Sequence, residues 1–412
     1  MRALKRWSPS SGKSYRANDE KTLMIEAREY SSTVEWMLPP SKSHLIRWLV
    51  LASCSDGQTR LEFTGMPGED ALSMVRCLRA LGIHIVEDKE AWVVGGGVFK
   101  RPVSVLHCGN SATTLRLIAP LAAQSGVPVM IDGDENLRAR DHSALVEMLR
   151  SAGVEVEQGT GPEQLPLKIR GPMSKDSVMV DISKSSQPFS GLLLSSLAID
   201  HEINVECSGD EVSSRYSSLT KDLAEKSGMP TFDGRLIPWR AKTPETVDIP
   251  GEASLLMLSK LLSTCHDIEV VCSNAPNEED SLGNELSDHD IEGVVSIKDC
   301  IDIITPLATI MCLKNGGDIK DAAHGRYKES DRITRTVDML AAFGLKAEET
   351  DDGLRISGQQ SPSAPEGIIR CHDDHRLFMC AAILATVVGA ELDCPQSFRA
   401  SFPAFLEMLD QP

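Results

Sequence analysis

Apolar positions in this chain gather into six dense runs, near 44–54, 113–124, 189–199, 254–264, 302–313 and 376–388. They are apolar nearly all round, which predicts helices buried inside a domain rather than laid on its surface. Each is introduced by a polar cluster: Ser41-Lys42-Ser43, Gly109-Asn110-Ser111, Ser185-Ser186-Gln187, Gly251-Glu252-Ala253-Ser254, Asp299-Cys300-Ile301-Asp302 and Asp373-Asp374-His375-Arg376. The clusters lie roughly 70 residues apart, with one interval near 50. A narrower, amphipathic pattern closes most units, at 74–81, 145–149, 219–223 and 336–340, each stopped by a glycine (Gly82, Gly153, Gly228, Gly344) suited to a helix C-cap. Short alternating strands follow, such as Val154-Glu155-Val156-Glu157 and Leu345-Lys346-Ala347-Glu348. The unit therefore reads strand, buried helix, strand, amphipathic helix, strand, strand. Six such units predict an α/β protein of two similar halves. The prolines place the passages between them at Leu38-Pro39-Pro40 and again at 238–246, where Pro238 and Pro244 flank Arg240-Ala241-Lys242. The first half is then 23–39 plus 244–412, and the second is 40–243.

Length and charge narrow the function. A chain of 412 residues has room for two or three domains with sizeable cores. Its formal charge of −18 argues against nucleic acid or an anionic membrane as a general partner. An anionic ligand would have to be held by a local cluster of cations, against the overall field. Eleven cysteines occur without a C-x-x-C pair, which predicts reduced thiols in a cytoplasmic protein and neither zinc nor disulfides. No apolar run reaches the ~18–20 residues needed to span a bilayer. Residues 1–22 are polar and basic, with Ser8-Pro9-Ser10-Ser11-Gly12 and no apolar segment behind them, and are expected to form a disordered extension rather than a signal peptide.

The densest chemistry lies in His324-Gly325-Arg326-Tyr327-Lys328-Glu329-Ser330-Asp331-Arg332, where a loop enters a helix. It offers cations for an anion and a carboxylate for proton transfer within one turn of backbone. By itself it also reads as a solvated helix start, with Ser330 or Asp331 as N-cap. The same layout at five other places changes that balance. Buried helices leave their first N–H groups unsatisfied and present a positive dipole end, so several of them opening on one cleft would form an anion site. Capping accounts for Ser41, Asn110 and Ser185. It does not account for Lys42, Arg47, Arg116 or Arg376, because cations are unfavourable at a helix N-terminus, and a bound polyanion is the economical counter-charge.

These motifs resemble the 3-phosphoshikimate 1-carboxyvinyltransferase (EPSP synthase) family of enolpyruvyl transferases. Leu38-Pro39-Pro40-Ser41-Lys42-Ser43-His44-Leu45-Ile46-Arg47 is similar to its Pro-x-Ser-Lys-Ser-x-x-x-Arg signature, and Gly109-Asn110-Ser111-Ala112-Thr113-Thr114-Leu115-Arg116 to its Gly-Asn-x-Gly-Thr-x-x-Arg loop. Ser185-Ser186-Gln187, Tyr327-Lys328-Glu329-Ser330-Asp331-Arg332 and Asp374-His375-Arg376 complete the set in the family's order, over about 24–409. The resemblance implies an inside-out α/β barrel of two domains, each of three βαβαββ repeats, acting on shikimate 3-phosphate and phosphoenolpyruvate as a cytoplasmic monomer without metal or cofactor. Carried over residue by residue, it implies that Lys42, Ser43, Arg47, Ser185, Ser186, Gln187, Ser213, Tyr216, Asp302, His324 and Lys328 contact shikimate 3-phosphate. It implies that Lys42, Asn110, Ala112, Thr113, Arg140, Gln187, Arg332 and Arg376 hold phosphoenolpyruvate, and that Lys42, Asp302, Lys328 and Glu329 carry the chemistry. Those residue types suit it: a base must serve the attacking hydroxyl, an acid the methylene carbon, and guanidinium forks the phosphates and carboxylates.

Four departures from the family pattern stand out. Ala112 replaces the loop's second glycine, and Gly251-Glu252-Ala253-Ser254-Leu255 replaces Gly-Asp-Ala-Ser-Ser. Between the fourth and fifth buried helices the amphipathic helix gives way to acidic Asn277-Glu278-Glu279-Asp280 and Ser287-Asp288-His289-Asp290. The C-terminal Lys-Ser-Phe-Pro becomes Ala400-Ser401-Phe402-Pro403, with Arg399 one place early and in reach of the missing lysine's role. A transferase of nucleotide sugars is disfavoured because Lys42 is followed by Ser43 where that enzyme has asparagine, and Cys108 precedes the Gly-Asn pair instead of lying in a reactive loop near 112. An inactive anion-binding paralogue would not need Asp302, Lys328 and Glu329 together. In the empty protein the cations of the two halves, Lys42, Arg47 and Arg140 against Lys328, Arg332 and Arg376, are expected to repel across the cleft until a substrate draws the halves together.

Overall fold

The computed structural model describes residues 15–17, 21–159 and 163–411. Its twelve α-helices in the described residues are α1 Lys42–Ser53, α2 Glu69–Ala80, α3 Ala112–Ala123, α4 Glu135–Arg138, α5 Ser143–Ser151, α6 Gln187–Ser195, α7 Ser214–Lys226, α8 Leu256–His266, α9 Ile304–Leu313, α10 Arg332–Ala342, α11 His375–Val388 and α12 Phe405–Leu409. The six apolar runs are α1, α3, α6, α8, α9 and α11. Every residue of α3 is buried, as is all of α11 except its last two. Small residues permit this closeness: a Cβ on Gly191 of α6 would sit 2.0 Å from the carbonyl oxygen of Arg116 on α3. The amphipathic runs are α2, α5, α7 and α10. Gly82, Gly153, Gly228 and Gly344 end them with φ of +90°, +87°, +99° and +76°, the left-handed conformation that a C-cap glycine takes without strain. None of these helices is long and apolar enough to cross a membrane.

Sheet pairing repeats with the helices. Val129–Asp132 runs parallel to Leu106–His107 and antiparallel to Leu167–Arg170, which pairs in turn with Glu155–Gln158. Gly293–Ser296, Gly316–Lys320, Gly353–Ser357 and Ala347–Thr350 have the same order and directions. So do Thr246–Asp248, Gln58–Glu62, Ala91–Gly95 and Ile85–Glu87, although the first strand there arrives from far along the chain. In the first two sets a buried helix joins the parallel pair and an amphipathic helix leads to the hairpin; in the third α1 leads into Gln58–Glu62 and α2 leads to the hairpin. Between α8 and α9 no amphipathic helix forms; two 3-10 turns, Glu279–Ser281 and His289–Ile291, take its place. Of the extension expected over 1–22, residues 1–14 and 18–20 lie outside the described residues. Tyr15–Ala17 form a strand antiparallel to Thr22–Ile25, so the chain there is extended and paired rather than structureless.

Buried apolar side chains fall into two clusters. One takes residues from Leu45 to Ile249 together with Leu282; the other takes Leu23 to Leu38 and Leu255 to Leu409. The chain passes between them at two adjacent strands: Ser41 N–H donates to Pro250 O at 2.7 Å, Glu252 N–H to Pro39 O at 2.9 Å, and Pro40 bridges Gly251. The return passage is therefore at 249–252, later than the 238–246 that the prolines indicated. Val247 and Ile249 are buried in the first cluster because Thr246–Asp248 adds a parallel strand to Gln58–Glu62.

Candidate active site

The helix ends that border the passage are capped by one another's chain. Glu252, 3% exposed, accepts Lys42 N–H of α1 at 2.9 Å through Oε2, and through Oε1 the Ser254 hydroxyl at 2.7 Å and Ser254 N–H at 3.3 Å. A single carboxylate thus satisfies orphan donors of two helical segments. Ser41 does not cap α1 with its side chain; its hydroxyl bonds His44 Nδ1 at 3.0 Å. Ser111, and not Asn110, caps α3 by accepting from Thr114 N–H, while Ser185 Oγ accepts from Gln187 N–H at the start of α6.

On the first side of the cleft, Arg47 on α1 reaches Thr220 Oγ1 at 2.7 Å, the Ser43 carbonyl at 2.9 Å, the Tyr216 carbonyl at 3.1 Å and Ser190 Oγ at 3.4 Å. Arg116 on α3 donates to Gln187 Oε1 at 2.8 Å, the Asp141 carbonyl at 3.2 Å and Ser185 Oγ at 3.4 Å, and Gln187 Nε2 donates to Thr113 Oγ1 at 3.0 Å. Ala112 is the first residue of α3, and Ser186 lies buried at the N-cap of α6. Ser213, at φ +56°, is held by its N–H on the Lys298 carbonyl, and its hydroxyl has no partner. Neither Arg47 nor Arg116 has a carboxylate within ion-pair distance among the described residues. Burial pulls both guanidiniums down to about 10, with the charge of Arg140 adding to the effect at Arg116.

The second side is built on Arg332, the first residue of α10 and 1% exposed. It pairs with Asp302 and Glu329 through Nη1 and Nη2 and with Asp374 through Nε at 2.9 Å. Asp374, fully buried, also takes the Ser330 hydroxyl and caps α11 through Arg376 N–H. Arg376 bonds the Ser254 carbonyl at 3.0 Å and hydroxyl at 2.6 Å and stands 3.9 Å from Asp302. Across the cleft, Arg140 bonds Asn110 Oδ1 at 2.6 Å and Asn136 Oδ1 at 2.8 Å and meets Glu329 Oε1 at 3.5 Å, while Asn136 Nδ2 donates to the Glu329 carbonyl. Lys42 Nζ lies 3.1 Å from Asp70. The expected repulsion between the two sets of cations is therefore offset within the chain: Glu329 bridges Arg140 and Arg332, and Asp70 answers Lys42. Long-range pairing of this kind leaves no local mark in the sequence. The polyanion argument survives at Arg47 and Arg116.

These neighbours set the protonation states. Burial would raise the Asp302 carboxyl, but Arg332, Arg376, Lys328 and Lys42 hold it well below the usual range. Burial acts likewise on Glu329 and is outweighed by Arg332 and Arg140. Both carboxylates are therefore ionised. Burial lowers the Lys328 ammonium against the pull of Asp302, so its proton is the more readily given; at Lys42, Asp70 and Asp302 outweigh burial and keep the charge. His324, with Nε2 unpartnered, is lowered to about 3 by burial and by Lys328 and stays neutral. The Tyr216 phenol is pushed well above its ordinary value by burial and by the charges of Asp302 and Glu252.

Many of the residues singled out in the sequence are thus brought together where the two cores meet. Missing from that set were Asp70 and Asp374, which hold Lys42 and Arg332, and Glu252. Asp374 stood in a polar cluster already noted, whereas nothing local ties Asp70 to a lysine 28 residues earlier. Arg399 is exposed, and the charge it faces is that of Glu69 at the start of α2.

The family model of EPSP synthase (3-phosphoshikimate 1-carboxyvinyltransferase) matches residues 28–230 and 254–409. The chain belongs to the EPSP synthase family. Among its EPSP synthase relatives, the 3-phosphoshikimate 1-carboxyvinyltransferase of Methanothermobacter thermautotrophicus is 28% identical over 401 residues, covering 90% of this chain and 94% of that protein. The enzyme of the same name from Caldivirga maquilingensis is 30% identical over 380 residues, covering 86% and 89%. The fold is shared with the EPSP synthase of Acinetobacter baumannii at a TM-score of 0.71 and 21% identity, over 94% of this chain and 97% of that one. An enolpyruvyl transferase from Streptomyces tendae shares it at 0.69 and 12% identity, with the same coverage.

Proposed function

We propose that this cleft transfers the enolpyruvyl group of phosphoenolpyruvate to the 5-hydroxyl of shikimate 3-phosphate, the shikimate-pathway reaction of its family. The observation that carries the reading is a pair of buried guanidiniums, Arg47 and Arg116, with no carboxylate at ion-pair distance among the described residues, on the same site as ionised Asp302 and Glu329. Buried charge is costly unless paired, and a bound phosphate would pair it. Arg47, with Ser43, Ser185, Ser186, Gln187 and Ser213, holds shikimate 3-phosphate by its phosphate, and Tyr216 and His324 line its ring. Arg140, Arg332 and Arg376, with Lys42, Asn110 and Thr113, receive phosphoenolpyruvate, whose charges draw Arg140 and Arg332 away from Glu329.

The steps divide among three groups. Asp302 takes the proton of the 5-hydroxyl as its oxygen bonds C2, and Lys328 delivers a proton to C3. Glu329, released from its guanidinium partners, removes a proton from C3 as the C–O bond to phosphate breaks. No covalent bond to the protein is required. We read the two apolar cores as the two halves of an inside-out α/β barrel of six repeats. The enzyme is read as a cytoplasmic monomer, from its family resemblance and from eleven cysteines without C-x-x-C spacing. A coupled phosphate-release assay tests the function: turnover requires shikimate 3-phosphate and phosphoenolpyruvate together, and no release with both present would sink it.

A further inference from the structure

The cluster Asp299-Cys300-Ile301-Asp302 holds a second acid, Asp299, that the chemistry does not use. Its place in the chain suits a cap for the buried helix that follows, but the 3-10 turn Ile301–Ile303 opening that helix has Cys300 at its N-cap and no side-chain cap. The Asp299 carboxylate turns instead to the other core. Its Oδ1 accepts Ser214 N–H and the Ser214 hydroxyl, each at 2.7 Å, and the neighbouring Lys298 carbonyl accepts Ser213 N–H at 2.9 Å. Ser214 opens α7, whose Leu219, Leu223 and Ala224 lie in the first core, whereas Ile297, Cys300 and Ile301 lie in the second.

α7 does not cap itself. Its N-cap residue, Ser213, is at φ +56° and ψ +40°, left-handed where an N-cap is normally extended, and makes no side-chain cap bond. A serine keeps that conformation when its surroundings fix it. Two of the donors that a helix start leaves orphaned, Ser213 N–H and Ser214 N–H, are satisfied from the second core, and a carboxylate at that end also answers the positive pole of the helix dipole. The same short segment carries the base. Cys300 N–H donates to the Ile297 carbonyl and Ile303 N–H to the Cys300 carbonyl, both at 3.1 Å, so Asp299 and Asp302 belong to one compact turn. Tyr216, one helical position from Arg215 at the start of α7, feels the Asp302 charge. Asp299 therefore joins the helix end that bears Ser213 and Tyr216 to the turn that bears Asp302.

We propose that Asp299 is a positioning residue for shikimate 3-phosphate: its carboxylate caps α7 across the two cores and so sets Ser213 and Tyr216 in register with Asp302. This rests on the function proposed above, in which Ser213 and Tyr216 meet that substrate. The test compares wild type, Asp299→Ala and Asp299→Asn by steady-state phosphate release and by hydrogen exchange at the Ser214 amide. Asp299→Ala should raise KM for shikimate 3-phosphate by roughly 3- to 30-fold, the range for a lost helix cap. KM for phosphoenolpyruvate and kcat should stay within about threefold, because Arg140 still meets Glu329 and Arg332 still holds Asp302. Asp299→Asn keeps an oxygen that can accept both bonds and should stay near wild type, and the Ser214 amide should lose protection in the alanine variant only. An unchanged KM for shikimate 3-phosphate in Asp299→Ala, or an equal loss for both substrates, overturns the assignment and leaves Asp299 a structural tie. An Asp299→Asn protein as impaired as Asp299→Ala overturns it too, since charge and not the cap would then matter. Should Asp299→Ala not fold, Asp299→Ser, whose hydroxyl is one bond too short to reach across, must show the same split between the two substrates. Absence of wild-type turnover would instead sink the parent function, and exchange at Ser214 would still decide whether Asp299 caps α7.

Discussion

Glu329→Gln is the sharpest probe of the chemistry, because the structure separates its effect on turnover from its effect on binding. The wild-type carboxylate bridges Arg332 and Arg140, the two guanidiniums proposed to receive phosphoenolpyruvate. Substitution leaves Arg332 still paired with Asp302 and Asp374, and Arg140, whose contact with Glu329 is only 3.5 Å, still bonded to Asn110 and Asn136, so the full ~3–5 kcal/mol typical of an orphaned buried charge does not apply. The uncharged amide still accepts from Arg332 but competes less for it, so KM for phosphoenolpyruvate should hold or fall by a few-fold. Turnover should drop by about two to four orders of magnitude, the loss of a positioned acid or base, equivalent to about 3–5 kcal/mol in the barrier. Steady-state phosphate release with each substrate varied in turn gives both constants, and single-turnover mixing confirms that the chemical step has slowed. A kcat within a factor of about three of wild type would remove Glu329 from the proton transfers. A tenfold rise in KM with kcat unchanged would make it a binding residue instead.

Three further outcomes are expected. Ala112→Gly should sensitise the enzyme to glyphosate, the family's inhibitor and a longer molecule than phosphoenolpyruvate, because one methyl in a tight site costs about 1–3 kcal/mol, roughly 5- to 150-fold in affinity; an unchanged ratio of inhibition constant to phosphoenolpyruvate KM would refute this. Arg399→Ala should leave KM for phosphoenolpyruvate within about twofold, since an exposed arginine facing Glu69 contributes at most about 1 kcal/mol; a large rise in that KM would show that it does replace the family lysine. His142, 1% exposed with Nε2 on the Leu137 carbonyl, is lowered to about 4 by burial and by Arg116. Its folded pKa lies below the unfolded value near 6.5, so its contribution is whole above pH 6.5 and is lost as pH falls towards 4, about 3 kcal/mol in all. Urea unfolding of His142→Gln should then lose less stability between pH 7 and 4.5 than wild type, and equal losses would contradict the assignment.

What the sequence disclosed, and what it hid, follows from the range of each interaction. The six buried helices were legible because burial on all sides removes polar residues from every face of α3 or α11. The left-handed glycines closing α2, α5, α7 and α10 were legible because a C-cap is local. Invisible were the partners that fix the charges. Glu252 caps a helix 210 residues away, and Arg332 gathers Asp302 and Asp374 from other segments. The shrunken unit after α8 could be seen as a departure, but its seat in the opposite core could not, since Leu282 carries no mark of which core it enters. The proline-based boundary at 238–246 failed because prolines flank the last strand of the first core as well as any linker.

The paired passage at Pro40 and Gly251 has a consequence for how such a chain can be cut and rejoined. A stretch of some two hundred residues enters and leaves its own core through neighbouring strands, as an inserted cassette does. Joining Pro39 to Glu252 would close the remaining chain across a gap already spanned by one hydrogen bond, and the excised stretch could be circularised at the same point and given new ends elsewhere. Leu282 would then lose its socket in the excised core, and with it would go the other ties across the two cores, such as Arg140 to Glu329 and Ser213 to Lys298, so the cassette is separable in its chain path but not in its contacts.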